Sequence, residues 1–589
     1  LLKDILKGNP LDLIRNYYIG SGKGGGVGMV NTFFCGTIVL IGVLGLFSVS
    51  KDVMQKKHRL VYAGLLVFTV PMFYFGPLYM LFSLLKQSAG HDGRYLYLGT
   101  FIFVYLAGRF FCHIDKVNKK PFIITAVVYL LVFAACQVRY PVKNKALIIY
   151  TVAEFAALFI LLFIYSRDLS KRKVLLIPVT LLVFAELAFN AYRVLDIYDN
   201  YREYTAADFA AYERSEQEFI DRIAAYDNDF YRINQLQNRD MSINETTANY
   251  NEAMAFSYAS AEGYTSTPHG SQLDFLARGG YRNEGETPSV VSETSIIPFD
   301  SLLGVKYILS PFAVRGYEKV ADLPGENGKD VYLNPNVIPV VCKVSSAPGV
   351  VYATDPFEYH QGLVSSLTGT EASFYEPVSF DIKDEDELRT YELTLSDGNY
   401  AFYGYIPWKW KEMGGTHIDI NGKIKKKYSA WNSEDLFYVP VDDGADKAYV
   451  TLDGRIPDVI DFEKFYALDL DAFEKAIAPL KGADPDELEI KNGRVYAKLS
   501  AAAGEYLFTT IPFDRGWKVK LNGRVIKPET YEYCFMLIPL EEGENVITMD
   551  YHIPFLPAGI FLTVLGIVLV FVNSYKERRH EEGTKKETP

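Results

Sequence analysis

The sequence has few cysteines and no excess of positive charge, and these two shortages exclude several classes of protein. Only five of the 589 residues are Cys, which is too few for a fold stapled by disulfides. The net charge is −12, whereas a general nucleic-acid binder needs a basic face that neutralises phosphates. Hydrophobic residues make up 49% and aromatic residues 15% of the chain, unlike a disordered protein. We therefore expect large buried cores and no nucleic-acid partner.

The sequence also lacks the common catalytic signatures. It contains no Ser-His-Asp, zinc-binding or dinucleotide-binding motif. The glycine-rich segment 20–28 lacks the GxxxxGK[ST] spacing of a phosphate-binding loop, so we interpret it as a flexible lead into the first helix. No set of metal ligands is predicted, although a divalent cation stays open as a cofactor.

Long apolar runs are abundant, and the mean hydropathy is only +0.02 because polar segments balance them. Each run approaches the ~20 apolar residues that cross a ~30 Å hydrocarbon core as a helix. In the second run, Pro71 and Pro77 flank Gly76 and predict a kink or a break. Six runs precede a long polar region and a seventh follows it: 31–50, 60–85, 95–112, 121–137, 146–166, 174–192 and 554–575.

Basic residues in the connecting segments predict the orientation of these helices, because loops rich in Lys and Arg stay in the cytoplasm. The parity of seven helices is consistent with this rule, and it leaves the polar region outside the cell. We therefore expect a multi-pass protein of the bacterial cell membrane with residues 195–553 extracytoplasmic. The segments richer in Lys and Arg are 51–59, 116–120, 167–173 and the tail after 575, and the poorer ones are 86–94 and 139–145.

Two stretches of the polar region look like copies of one unit. Tyr400 matches Tyr506, the turn Asn421-Gly422 matches Asn522-Gly523, and an acidic Gly-terminated turn follows each. Alternating strands with such turns predict two tandem β-sandwich modules. Elsewhere, the composition of 206–224 predicts a helix, and Asp471 followed by Glu474 predicts a helix N-terminus between the modules.

The expected architecture is a polytopic α-helical membrane protein with a large extracytoplasmic α+β or all-β region that contains these two modules. Because the chain opens at Leu1 without a charged leader, we interpret it as a piece of a longer protein. The predicted segments are an extracytoplasmic lead-in (1–30), six transmembrane helices (31–193), a mixed α/β section (195–372), the first β-sandwich (373–455), a helical linker (456–485), the second β-sandwich (486–553), a last transmembrane helix (554–575) and a basic cytoplasmic tail (576–589).

Several short strings carry a resemblance to a known family. They are Phe230-Tyr-Arg232-Ile, Asp300-Ser-Leu-Leu-Gly-Val-Lys-Tyr307, Gly516-Trp517 followed by Asn522-Gly523, and Tyr551-His-Ile-Pro554 directly before the last apolar run. With them the chain resembles the YfhO family of bacterial membrane proteins over nearly its whole length. The resemblance implies a GT-C-like glycosyltransferase that moves a sugar from a polyprenyl-phosphate carrier in the lipid bilayer to an envelope glycopolymer such as lipoteichoic acid. It also implies a key acidic residue in a first outer loop, upstream of this chain.

Two other functions stay open beside sugar transfer. A non-catalytic, membrane-anchored protein that binds or assembles glycans would carry the same outer modules. A transporter would use an intramembrane carboxylate as a proton relay, but the large outer region and the lack of an inverted repeat argue against it. The upstream sequence would discriminate between the first two, because an acidic residue in its first outer loop favours the enzyme.

Glu154 and Glu186 are the intramembrane candidates for catalysis, because an ionisable group in an apolar span is costly and usually faces a cavity or a partner. At 1.5 Å per residue both lie roughly 10–12 Å from the outer end of their helices, where they could meet. The alternative for each is a structural hydrogen bond, for example to Asn190.

The outer loop 86–94 holds further candidates. Arg94, helped by Lys86, could grip the donor phosphate by bidentate contacts, and His91 and Asp92 could move protons. The alternative is a solvated turn with a snorkelling arginine.

In the outer region, Trp408 and Trp410 could stack on sugar rings, although aromatic residues in β-sandwiches more often belong to the core. Lys306 is interpreted as structural, and whether Cys342 and Cys534 pair is left open.

Overall fold

The computed structural model describes most of the chain. The chain forms two compact units, Leu1–Glu203 and Tyr204–Pro589. The described residues are 12–15, 17–19, 34–82, 96–139, 145–199, 206–236, 251–264, 269–281, 289–290, 294–385, 387–407, 413, 415–428, 436–457 and 462–586.

The first unit is helical. Its described helices are α1 (Asp12–Arg15), α2 (Thr37–Leu46), α3 (Lys56–Tyr74), α4 (Gly76–Phe82), α5 (Leu96–Phe111), α6 (Lys119–Arg139), α7 (Lys145–Arg167) and α8 (Arg172–Asp199), with 3₁₀ turns at Ile114–Lys116 and Leu169–Lys171. The predicted break near Pro71 and Pro77 is confirmed, because α3 ends at Tyr74 and α4 begins at Gly76.

Four described helices are long and apolar enough to cross a membrane, where the sequence predicted seven spans. They are Lys119–Arg139, Lys145–Arg167, Arg172–Arg193 and Leu556–Lys576. The helices of the first three predicted spans are shorter or more polar than these four. The helix of the first run has 10 residues and ends in a turn, α3 opens on Lys-Lys-His-Arg, and α5 has 16 residues.

Small residues let α2 approach its neighbours closely. This helix packs against α5, α6 and α7, and α7 packs against α8. A Cβ atom added to Gly42 would lie 2.7 Å from Ala107 Cβ, and one added to Gly45 would lie 2.5 Å from the Phe110 ring. Close backbone approach through small residues is the usual way in which membrane helices gain packing energy.

The second unit is rich in strands. Its described helices are α9 (Ala206–Tyr226), α10 (Glu252–Ala255), α11 (Gly270–Arg278), α12 (Ile297–Leu302), α13 (Pro356–Thr368), α14 (Leu470–Ile477) and α15 (Leu556–Lys586). The predicted helix over 206–224 is confirmed by α9. The strands up to the linker are β1 (Arg232–Gln235), β2 (Gly263–Tyr264), β3 (Ser289–Val290), β4 (Val305–Ser310), β5 (Glu318–Lys319), β6 (Asp330–Leu333), β7 (Val341–Val344), β8 (Tyr375–Pro377), β9 (Phe380–Glu385), β10 (Leu388–Thr394), β11 (Tyr400–Tyr405), β12 (His417–Ile420), β13 (Ile424–Lys427), β14 (Leu436–Val439), β15 (Lys447–Asp453) and β16 (Lys464–Asp469). The remaining strands are β17 (Glu487–Lys491), β18 (Arg494–Ala501), β19 (Tyr506–Pro512), β20 (Trp517–Leu521), β21 (Arg524–Ile526), β22 (Glu529–Tyr531), β23 (Phe535–Pro539) and β24 (Gly543–Tyr551).

Four larger open sheets form two pairs. The five-stranded sheet β13-β12-β15-β10-β9 and the four-stranded sheet β14-β11-β16-β8 contribute to one hydrophobic core. The five-stranded sheet β17-β18-β24-β20-β21 and the four-stranded sheet β22-β23-β19-β7 contribute to another. When β9 is matched with β17 and β15 with β24, the two five-stranded sheets have the same strand order. The four-stranded sheets also correspond: β7 pairs with β19 in the position in which β16 pairs with β11.

The helix between these sheet pairs begins two residues earlier than the sequence suggested. Asp469, not Asp471, caps α14: its Oδ1 accepts hydrogen bonds from the backbone N–H groups of Asp471 (3.0 Å) and Ala472 (2.9 Å). The prediction of Asp471 as the cap is therefore wrong. Strand β16 runs directly into the helix, so the last strand residue is free to adopt the extended conformation that a cap needs.

A smaller mixed sheet has the order β1-β4-β6-β5, and β2 pairs with β3. In it β1 pairs in parallel with β4, with Arg232 opposite Val305 and Ile233 opposite Tyr307. The segments that contain Arg232 and Tyr307 are thus neighbours in one sheet, although they are far apart in sequence.

Candidate functional site in the membrane unit

Glu186 of α8 caps the N-terminus of α2. The preceding residue, Gly36, has φ of 97° and offers no side chain to the first turn. The Glu186 carboxylate takes that role: it accepts hydrogen bonds from Thr37 N–H (2.9 and 3.1 Å) and from the Thr37 hydroxyl (2.5 Å). The side chain is only 1% exposed. A carboxylate at this end of a helix also meets the positive end of the helix dipole, so the geometry stabilises its charge.

Glu154 of α7 is buried under very different conditions. It is 6% exposed, and within the described residues neither carboxylate oxygen has a hydrogen-bond partner. Tyr150, one turn earlier, interacts with it without meeting hydrogen-bond geometry, and Glu186 lies close enough to interact electrostatically. The structure thus places the two carboxylates that the sequence singled out within electrostatic range of each other, and it gives them unequal surroundings.

A small cleft lies near this pair; Thr37 forms part of its wall, and neither Glu154 nor Glu186 lines it. Within the described residues the Tyr129 hydroxyl is buried without a hydrogen-bond partner, while its ring stacks on Phe155 at 5.9 Å. The cleft is lined by Tyr17, Thr37, Leu40, Tyr129, Leu130, Phe133, Thr151, Val152 and Phe155. The wall is apolar with a few hydroxyl groups.

Sequence reasoning missed the hydroxyl groups of this cleft. The Tyr17 hydroxyl donates to Gly36 O (2.9 Å), and Thr151 Oγ1 accepts from Ile19 N–H (3.1 Å). A Thr one turn before a membrane Glu, as in Thr151 and Glu154, was the available signal. Hydroxyls in apolar helices often bond their own backbone, as Thr151 also does to Leu147 O, so this signal is weak.

The other predicted site residues are outside the described part of the chain: Lys86, His91, Asp92, Arg94, Trp408 and Trp410, together with the glycine-rich segment 20–28. The described residues contain no group of three or more His, Cys, Asp or Glu side chains that could hold a metal ion.

All five cysteines are described, and none of them forms a disulfide. Cys342 and Cys534 both lie in the core of the second unit. Burial raises the pKa of each thiol to about 12, so neither carries a reactive thiolate at neutral pH.

The chain matches the family described as "Bacterial membrane protein YfhO" over residues 5–563. It belongs to the YfhO family. It is also similar to "Uncharacterized protein YfhO" of Bacillus subtilis (strain 168), with 23% identity over 104 residues. That match covers 18% of this chain and 12% of the relative's own length.

The strings that carry the YfhO resemblance form scaffold in the second unit. Lys306 Nζ lies 2.5 Å from Asp227 Oδ2, and the Tyr307 hydroxyl donates to the same oxygen at 2.8 Å. Burial alone would raise the pKa of Asp227, but the hydrogen bonds from Lys306, Asp229 N–H and Tyr307 outweigh it and hold the pKa below its ordinary value. Trp517 packs edge-on against Tyr551 at 5.1 Å. These contacts connect the strand Val305–Ser310 to the segment after α9, and β20 to β24.

Proposed function

We propose that this YfhO-family protein transfers a sugar from a polyprenyl-phosphate carrier to an envelope glycopolymer, such as lipoteichoic acid, on the outer face of the bacterial cell membrane. Family membership and four membrane-length helices support a membrane glycosyltransferase-like role. A donor that is itself embedded in the bilayer would explain why the candidate site lies among apolar helices.

The observation that carries the proposal is the pair Glu154 and Glu186 beside the cleft. Burying a carboxyl group without a partner costs several kcal/mol at the order-of-magnitude level. Glu186 recovers that free energy through the helix cap, but among the described residues neither oxygen of Glu154 accepts a hydrogen bond. A group kept at such a cost is best explained by a ligand that it contacts during function.

The remaining members of the site are proposed from the sequence. Arg94 and Lys86 would hold the carrier phosphate at the membrane rim, and His91 and Asp92 would assist proton movement there, with or without a divalent cation. Trp408 and Trp410 would contact the acceptor glycan. Arginine suits a phosphate because its planar guanidinium donates two parallel hydrogen bonds.

The two sheet pairs are proposed to be tandem β-sandwich modules that arose from one repeated unit and handle the acceptor outside the cell. Their matched strand order and their separate cores support this view. The charge bias of the loops supports an extracytoplasmic position for residues 195–553.

The proposal can be tested by sugar incorporation into envelope polymer in cells that express the full-length protein. We expect Glu154→Gln and Glu186→Gln to reduce incorporation at least ~100-fold at equal membrane abundance, which is the lower end of the usual scale for a group in acid–base catalysis. Arg94→Lys should cause a similar loss, because lysine keeps the charge and loses the two-pronged contact.

Asp115→Asn is the matched control, because it removes a carboxylate of the same unit that is partly exposed and pairs only weakly with Lys116 at 3.9 Å. It should keep wild-type incorporation. Wild-type incorporation in all three site variants would contradict the proposed chemistry and favour a non-catalytic protein that binds or assembles glycans.

A further inference from the structure

The two buried carboxyl groups of the first unit, Glu154 and Glu186, differ in their hydrogen-bond partners. Glu186 accepts hydrogen bonds from both the N–H and the hydroxyl of Thr37 and sits at the start of α2. Each of these contacts favours a negative charge on Glu186. Glu154 is more than nine-tenths buried and, among the described residues, receives no hydrogen bond at either oxygen. Among the described residues, Tyr150 interacts with Glu154, but it does not meet the geometry of a hydrogen bond.

Within the described part of the chain, the surroundings of the pair contain no cation that would allow both groups to ionise. No lysine or arginine of the described residues forms an ion pair or a recorded electrostatic contact with either carboxylate. The titratable groups that face them are Tyr150 beside Glu154 and Cys35 near Glu186, and both are neutral in their ordinary states. Two buried like charges within electrostatic range repel each other, so we expect the pair to hold one proton.

We infer that Glu154 holds this proton and is a neutral carboxylic acid in the resting protein, while Glu186 is the fixed anion. The reverse arrangement would place the proton on a carboxyl group whose oxygens already accept the Thr37 hydrogen bonds, and it would leave a bare charge on Glu154. The neutral acid also supplies a hydrogen-bond donor on the helix that contributes Thr151 and Phe155 to the cleft wall, where the Tyr129 hydroxyl is likewise unpartnered among the described residues.

For sugar transfer, this assignment rests on the proposed function. An ionised Glu154 would repel the phosphate of an anionic carrier, whereas a neutral acid can donate a hydrogen bond to one of its oxygens and, unlike glutamine, can also give up its proton. The arrangement resembles enzyme sites in which a carboxylic acid is kept neutral so that it can donate. No covalent step is assigned to Glu154.

The test is labelling with dicyclohexylcarbodiimide, which enters the membrane and reacts with carboxyl groups that carry a proton. The full-length protein in vesicles is treated at pH 7, digested and examined by mass spectrometry. We expect the label on Glu154 in the wild type, no label at this site in Glu154→Gln, and a label that decreases as the pH is raised. Label on Glu186 in preference to Glu154, or on neither while the Tyr150-containing peptide is recovered, would overturn the inference.

Thermal unfolding of the same variants in detergent gives a second readout. Glutamine mimics a neutral acid, so Glu154→Gln should leave the Tm unchanged or raise it. Glu186→Gln removes the charge that caps α2 and should lower the Tm by several degrees. Equal losses in both variants would contradict the assignment. Because neither experiment needs a sugar donor, their outcome is independent of whether the protein transfers sugar.

Discussion

His360 shows how burial sets the chemistry of a single residue in the second unit. The side chain is 2% exposed; its Nε2–H donates to Gly279 O at 2.9 Å, and its Nδ1 accepts from the Tyr375 hydroxyl at 2.9 Å. Burial lowers the pKa of the imidazole to about 4, although the hydrogen bond to Gly279 opposes this shift. The histidine is therefore a neutral core residue and not a catalytic one.

This shift predicts a pH dependence of stability. The unfolded chain binds a proton at His360 near pH 6.5, whereas the folded chain binds it only near pH 4. The contribution of His360 is therefore complete above pH 6.5 and is lost as the pH falls from 6.5 to 4, by about 2–3 kcal/mol. Unfolding of the full-length protein in detergent should show a smaller loss over this range in His360→Gln than in the wild type. Parallel losses would rule out this role.

At the scale of elements, the packing of α2 depends on a glycine. A side chain at Gly42 would collide with Ala107, whose Cβ and Cα lie 2.7 and 2.9 Å from the added atom. We expect Gly42→Ala to destabilise the helical unit by about 1–3 kcal/mol, seen as a lower Tm in detergent. Gly64→Ala and Gly108→Ala are the matched controls, since a Cβ there meets nothing within 4 Å. They should be neutral or stabilising by up to ~1 kcal/mol, and equal effects at all three sites would count against this packing.

The cap of α14 gives a second prediction at this scale. Asp469→Ala should cost about 1 kcal/mol, because it removes the acceptor for two N–H groups of the first turn. Asp471→Ala should cost less than ~0.5 kcal/mol, because Asp471 is exposed and contacts Asn399 at 2.8 Å at the surface. Chemical denaturation of both variants compares them directly. A larger loss of stability in the Asp471 variant would indicate that Asp471 caps the helix, as the sequence suggested.

Local sequence patterns predicted the positions of helices better than they predicted which elements contact each other. The helix over 206–224 and the break before Gly76 follow from residues that are close in sequence. The cap of Thr37 by Glu186 joins residues 149 apart, and β7 pairs with β19 although more than 150 residues separate Val344 from Tyr506. Such contacts depend on how whole elements pack, and hydrophobic periodicity does not encode them. The sequence predicted the two carboxylates as site candidates because a charged residue is rare in an apolar run. The hydroxyl residues around them are common in such runs and give no comparable signal.

At the scale of the whole molecule, the loop charges predict one orientation. A reporter that is active only outside the cell should be active when it is fused after residue 300 and silent when it is fused after residue 580, because the basic tail stays in the cytoplasm. A reporter that is active only in the cytoplasm provides the reciprocal control. The opposite pattern would place residues 195–553 inside the cell, where they could not contact the envelope polymer.

The most direct test of the account is a transfer assay with the purified full-length protein in vesicles, given a radiolabelled sugar on polyprenyl phosphate and a teichoic-acid acceptor. The account predicts labelled polymer with the wild type, little with Glu154→Gln, and wild-type yield with Asp115→Asn. No transfer by a folded wild-type protein that still binds the acceptor would contradict the proposed activity and leave a glycan-assembly role in its place.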